Sequence, residues 1–536
     1  MNRTRKSENL YDGITDIRDD LITDSAHLHV RFTYIKRLAA IAAILAVSAI
    51  AGFALFPIES ITPANARTLA KAEYPQMAKY PNEADYFDDS DGGQAAGGSN
   101  DNGSIPESDS ISDDTGTIPD SPDASDGAGE TEGALDANAY TKAYDAWWED
   151  VSARRKLSES SSVRKLSGFS SASAKCFLSG ANEKKENRVY SPLGAYMALG
   201  MLAELTDGNS RQQILDLLGS DSVASLRKQA SDIWNAHYRD DGLVTSILAS
   251  SLWLNDDVEF HQPVLNTLAK YYYASSYQGK MGSKSFNKAL QDWLNEQTGG
   301  LLEKQAADAT LKPDTAMALA VTLNYHAQWR NEFSSKYTKE GTFHAASGDS
   351  VCDFLHKYKS SHSYYWGEKF SAVCEGLEQS GSMWFLLPDE GVTAEDLLND
   401  NEAMAFLQPD NQENWENQKS LLVNLAIPKF DVTCEYDLKE GLMELGVTDI
   451  YSANRADFSP MAGKPDKLAL SQADHAARVA IDEQGVTAAS YTVIGADTGS
   501  AMPPDKEIDF TLDRPFLFAV TDRDGQPLFL GIVNQP

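Results

Sequence analysis

Cysteine is scarce in this chain, with four in 536 residues, at Cys176, Cys352, Cys374 and Cys434. None stands in a C-x-x-C pair, which excludes a zinc ribbon and a dithiol redox centre. Four buried thiols are expected, with one disulfide as the alternative. Positive charge is short as well: 46 Lys and Arg face 79 Asp and Glu, for a formal net charge of -33. No basic run is long, so a nucleic-acid partner is excluded, because neutralising phosphates takes clustered cations. Catalytic signatures are missing too. The chain has no G-x-S-x-G, no G-x-x-x-x-G-K-[ST], no G-x-G-x-x-G and no H-E-x-x-H, and an enzyme is not expected. Two S-x-x-K matches, Ser162 to Lys165 and Ser285 to Lys288, lack the K-T-G partner of penicillin-binding enzymes. No cofactor and no metal is expected: His27 and His29 have no third ligand nearby, and the acidic runs lack calcium-loop spacing.

What is present falls into four blocks. Residues 1–37 are polar and mixed in charge. Leu38 to Phe56, LAAIAAILAVSAIAGFALF, is an unbroken apolar run of about the length that spans a bilayer. Arg31, Lys36 and Arg37 precede it and Glu59 is the first charge after it, which places the N-terminus in the cytoplasm and the rest outside. The alternative is secretion after cleavage at the small-x-small site Ala64-Asn65-Ala66. From Tyr80 to Thr141 there is no Lys or Arg, and too little apolar surface to offset chain entropy. The expected organisation is therefore a cytoplasmic segment (1–37), a transmembrane helix (38–57), an acidic disordered extracellular linker (58–140) and a globular domain (141–536).

The globular block alternates helical and strand signals. SPLGAYMALGMLAELTDGNSRQQILDLLG reads as two helices broken at a Gly-containing turn, and DWLNEQTGGLL as a helix with its Gly stop. TAMALAVTLNYHAQW, SGSMWFLLP, KSLLVNLAIPKFDV and PLFLGIVNQP read as strands. Helices come mostly early and strands mostly late, which predicts an α+β domain with large antiparallel or mixed sheets. One stretch near the end stands out. After Glu483, DEQGVTAASYTV carries no charge until Asp497, although it is not apolar enough for core.

Several segments, in order, carry a family resemblance. NRVYSPLGAYMALGML (Asn187 to Leu202), QWRNEF with Trp329 and Phe333, IPKF (Ile427 to Phe430), ADFS (Ala456 to Ser459), SQADHAARVAIDEQGVTAASYT, RPFLFAV and PLFLGIVNQP resemble the successive signatures of the serpins, from about Lys165 to the end. The resemblance implies a serpin-like fold with about eight or nine helices and an exposed reactive loop near the C-terminus, here in a bacterial, membrane-anchored, monomeric form. It implies a suicide-substrate inhibitor of serine or cysteine proteases, whose cleaved loop inserts as a strand into a sheet. The hinge would comprise Glu483, Gly485, Val486, Thr487, Ala488, Ala489, Ser490, Tyr491 and Thr492. Alternation puts Val486, Ala488, Ser490 and Thr492 under the sheet and Thr487, Ala489, Tyr491 and Val493 on the water side. Val486 is expected in solvent before cleavage. Counting along the loop places the scissile bond among Gly499, Ser500, Ala501 and Met502, small residues that suit an elastase-like or subtilisin-like protease. Ser191, His475, Asn187 and Trp329 would form a gating cluster. The chain departs from the family pattern at Thr487 (usually Glu), at Ser490 and Tyr491 (usually Ala), at Gly194 (commonly Ser) and at Val321 (expected Asn). A non-inhibitory binding module on the same fold is the alternative, and an adhesin-like structural protein a further one.

Overall fold

The computed structural model describes residues 63, 65–82, 137–409, 411–462, 468–470, 474–486 and 506–536. The apolar run Leu38–Phe56, the cytoplasmic segment, most of the acidic stretch, Thr487 to Thr492 and the scissile candidates lie outside them. Among the described residues no helix is long and apolar enough to cross a membrane.

The described residues of the stretch 77–152, which are 77–82 and 137–152, group as one unit. Within it Tyr80 stands edge-on to Trp147, 4.9 Å between ring centres, and Ala78 N donates to Asp150 Oδ2 at 2.8 Å. The other unit, which continues from Ala153 to Pro536 and takes in the segment ending at Gln76, carries the two large sheets.

Helix α1 (Ala137–Ser158) and helix α2 (Ser161–Leu178) precede the first motif. Helix α3 (Pro192–Leu205) starts where its sequence says it should: Pro192 occupies the first turn, where a missing N–H costs nothing, and Ser191 Oγ accepts from Gly194 N at the cap. The second helix of the pair, Gly208–Leu217, follows after the break at Thr206 and Asp207. Helix α4 (Lys284–Gln297) buries Phe286, Ala289, Leu290 and Trp293 at three- and four-residue spacing, and Gly299 and Gly300, at φ 60° and 79°, end it before the short α5 (Glu303–Asp308).

The first sheet has the order β1 (Arg67–Ala70), β3 (Ala274–Gly279), β2 (Thr245–Asn255), β4 (Met317–Gln328), with Arg239–Asp240 pairing β2. Helix α4 packs on it through Trp253, whose ring lies 5.3 Å from Phe286 and 6.5 Å from Trp293. Beyond β4 come β5 (Asp431–Asp437) and β6 (Asp474–Ala480), an antiparallel pair of their own, and the two-residue β7 (Gly485–Val486), which joins β4. Among the described residues the second sheet has nine strands and holds the remaining predicted runs, Ser382–Pro388, Gln418–Pro428 and Pro527–Val533, together with Glu507–Thr511, which follows the loop.

Three expectations need correction. The linker does not begin at residue 58, because Arg67–Ala70 is a strand: Arg67 pairs with Gln278 and Thr68 with Tyr277, Ala72 N donates to Ser275 Oγ at 3.1 Å, and the Tyr74 ring packs 5.3 Å from Trp234 and 5.9 Å from Tyr238. The stretch RTLAKAEYPQM has the apolar side chains that the acidic stretch lacks, so it can bury surface and order itself. The boundary expected at residue 141 falls inside a helix, since α1 runs from Ala137 to Ser158. The cysteines form no disulfide among the described residues and are only half-buried, not four core thiols.

Candidate functional site

The chain leaves β6 at Ala480 and turns sharply. Ile481 bridges Val486, Asp482 N donates to Gly485 O at 3.1 Å, and Asp482 Oδ1 accepts from Gln484 N and Gly485 N at 2.8 and 3.1 Å. A short acidic side chain capping its own following amides is what favours a turn here. Three bonds from the segment after β4 hold the turn: Trp329 N to Gln484 O at 2.8 Å, Trp329 Nε1 to Asp482 O at 2.9 Å and Phe333 N to Glu483 O at 2.8 Å. Glu483 accepts from Lys429 Nζ at 2.9 Å and Thr338 Oγ1 at 2.8 Å. Burial pushes its pKa up, but these two donors outweigh that and hold the carboxyl below its ordinary value.

Out of the turn, Gly485 pairs with Gln328 and Val486 with Ala327, antiparallel. Glycine is required at 485 by proximity: a Cβ there would stand 2.3 Å from Ala327 O. Val486 is 1% exposed, which corrects the expectation that it lies in solvent before cleavage. Two hinge residues are already zipped onto β4. Since β7 runs antiparallel to β4 and to Ile481, β4 and β6 are parallel, and below β7 they belong to separate sheets. They lie side by side without pairing, so a strand entering between them would have to part them, and parallel neighbours are what one antiparallel strand needs on either side.

Two cavities lie along the β4–β6 boundary. One of about 80 Å³ sits between the sheet and the α4–α5 region, lined by Leu290, Leu294, Leu302, Ala320, Thr322 and Ala476 among others. The other, of about 30 Å³, is lined by Gly194, Leu319, Val321 and His475 among others. At the second, Ser191 N donates to His475 Nε2 at 3.1 Å, while Ser191 Oγ caps α3. Burial pushes the His475 pKa down to about 4, so the imidazole is neutral and its Nε2 accepts.

The structure therefore brings together Ser191 and His475 but not the whole expected gating cluster. Asn187 fastens the C-terminus instead, its Oδ1 accepting from Asn534 N at 2.7 Å and Gln535 N at 2.9 Å. Trp329 belongs to the hinge turn. Of the expected hinge, Glu483, Gly485 and Val486 are described, and Thr487, Ala488, Ala489, Ser490, Tyr491 and Thr492 are not. Sequence reasoning misses Lys429, Thr338 and Asp482 as site residues. Lys429 lies in the IPKF run, and the need of a half-buried Glu483 for a counter-charge is the signal that could find it.

Residues 172–536 match the family model Serpin, described as serine protease inhibitor. The chain is 27% identical over 379 residues to Serpin B11 of Mus musculus, covering 66% of this chain and 95% of that protein. It is 27% identical over 368 residues to Serpin-ZX of Arabidopsis thaliana, covering 66% and 93%. Among solved structures, Arabidopsis AtSerpin1 in its native stressed conformation superposes with a TM-score of 0.61 at 26% identity, covering 71% of this chain and 98% of that one. The thermophilic serpin tengpin in its native state gives 0.61 at 24%, covering 70% and 94%.

Proposed function

The chain belongs to the serpin family, and on that premise we propose that it inhibits a protease as a suicide substrate, with the loop between Val486 and Lys506 as bait. The family sets it among inhibitors rather than enzymes. One observation carries the reading: β7 is already paired to the top of β4, and below it β4 and β6 run parallel side by side without pairing, so one antiparallel strand can bond to both once they part. The protease nucleophile attacks the scissile carbonyl and forms an acyl-enzyme. Cleavage frees the loop, which continues from Val486 between β4 and β6 as they part. About 15 residues of strand carry the attached protease on the order of 50 Å before water can hydrolyse the ester. The candidates Gly499, Ser500, Ala501 and Met502 offer small side chains, which favours an elastase-like or subtilisin-like serine protease. Mixing the full chain with a panel of serine and cysteine proteases tests this, and a covalent complex on a denaturing gel is the expected result. Cleavage of the loop with no complex for any protease would overturn it.

Anchoring through Leu38 to Phe56 belongs to the same proposal, with residues 1–37 in the cytoplasm and the inhibitor body outside. Ten residues, Pro57 to Ala66, separate that run from β1, a reach of at most roughly 35 Å. The acidic stretch then lies beyond the first docked strand and is not the spacer from the membrane. Full-length protein in the membrane pellet is expected, and a soluble product starting near Arg67 would overturn the anchor. A non-inhibitory binding module remains the second reading, favoured by Gly194 and Val321 in the cavity beside His475.

A further inference from the structure

The register at the hinge can be continued for a strand inserted between β4 and β6. Val486 stands opposite Ala327 on β4 and opposite Ile481 on the β6 side. Each step forward along the loop is one step back along both neighbours. Ala489 therefore arrives opposite Asn324 and Arg478, Tyr491 opposite Thr322 and Ala476, and Thr492 opposite Val321 and His475. At the level of Tyr491 the two flanks agree in face as well as in register. Thr322 and Ala476 line the 80 Å³ cavity and not the other, His475 lines the 30 Å³ one, and Val321 touches both.

We propose that the 80 Å³ cavity is the seat of the Tyr491 side chain when the cleaved loop inserts. This rests on the strand-insertion reading and adds to it a particular side chain in a particular place. Alternation alone assigns Tyr491 to the water side. At its level that side is covered by α4 and α5, and the cover is apolar, with Leu290, Leu294, Leu302 and Ala306 in the lining. Thr322 Oγ1, in the cavity wall, is buried without a hydrogen-bond partner among the described residues, and a polar group entering there would find it unpaired. The sizes match the sequence: the bulky residue meets the larger cavity and Thr492 meets the smaller. Between the hinge and the seat, Arg478 spans the front of β6, bonded to both carboxylate oxygens of Asp431 and to Leu301 O at 2.9 Å. The residue that must pass there is Ala489, which has only a methyl group.

The test compares intact full-length chain with chain cleaved in the loop by subtilisin, reading guanidinium midpoints. Wild type should gain stability on cleavage. Tyr491→Ala should lower the midpoint of the cleaved form by roughly 0.5 M, leaving the intact form unchanged, while Tyr491→Phe keeps most of the gain. Ala320→Met, which fills the cavity from β4, should reduce the gain in wild type, and Tyr491→Ala in the same chain should restore it. If wild type gains nothing on cleavage, both the strand-insertion reading and this inference fall. If wild type gains and Tyr491→Ala gains equally, strand insertion stands and the seat is overturned.

Discussion

Lys429 Nζ lies 2.9 Å from Glu483 Oε2 and ties the turn at the hinge to the strand segment that enters β5. Thr338 Oγ1 donates to the other carboxylate oxygen at 2.8 Å. The two charged side chains are 33% and 22% exposed, so screening limits what the pair contributes. Lys429→Met should lower native-state stability by about 1 kcal/mol, read from chemical denaturation of the uncleaved protein. The Glu483 pKa is lowered in the folded state, so the contribution is present above the ordinary carboxylate pKa and is lost as pH falls through the folded value. An unchanged midpoint in the Met variant at neutral pH would show that the pair adds nothing.

Val486→Arg should damage the uncleaved protein as well as insertion. Val486 is buried and paired to Ala327 before any cleavage, so a guanidinium there must either enter a dry space or unzip β7. The expected loss is several kcal/mol of native stability. Circular dichroism melting of the intact variant measures it, and a melting curve equal to the parent would show that β7 does not hold Val486 in solution.

The main elements are legible in the sequence because their patterns are local. Ser191 and Pro192 announce the start of α3, Gly299 and Gly300 announce the end of α4, and the strand runs sit between Gly and Pro. The site is legible only where a side chain acts through its own segment. Asp482 capping its own turn and Gly485 approaching Ala327 follow from residue type, but Lys429 reaching Glu483 joins positions 54 apart in sequence, and Asn187 reaching Gln535 joins positions 348 apart. Nothing in local spacing tells which distant polar group a side chain will meet. The docked strand Arg67–Ala70 escapes for a related reason: its order comes from pairing with Ala274–Gly279, across a stretch with no periodic signal of its own.

Gly194→Ser should stabilise the uncleaved fold. A Cβ at 194 would stand 3.6 Å from Ser191 Cβ and 3.7 Å from His475 Cε1, which is ordinary contact. Glycine within a helix also costs roughly 0.5–1 kcal/mol relative to a residue with a side chain, through the freedom it has in the unfolded chain. A gain of about that size in unfolding free energy is expected from chemical denaturation. A loss would mean that the 30 Å³ cavity cannot accept the hydroxyl.

Acid should weaken the fold through His475. Its neutral Nε2 accepts from Ser191 N at 3.1 Å, and burial lowers its pKa from 6.5 to about 4. Protonation would turn that acceptor into a donor facing another donor. Below pH 6.5 the unfolded chain takes up a proton at this position and the folded chain does not, so stability falls as pH drops, with the full contribution present above 6.5 and the loss complete near pH 4. At about 1.4 kcal/mol per unit the loss approaches ~3 kcal/mol over the window. His475→Gln keeps an acceptor for Ser191 N but has no proton to gain. The advantage in unfolding free energy of parent over variant, followed from pH 7 to pH 4 by chemical denaturation, should therefore shrink steadily as pH falls, and an advantage that stays constant over that range would show that His475 titrates alike in both states.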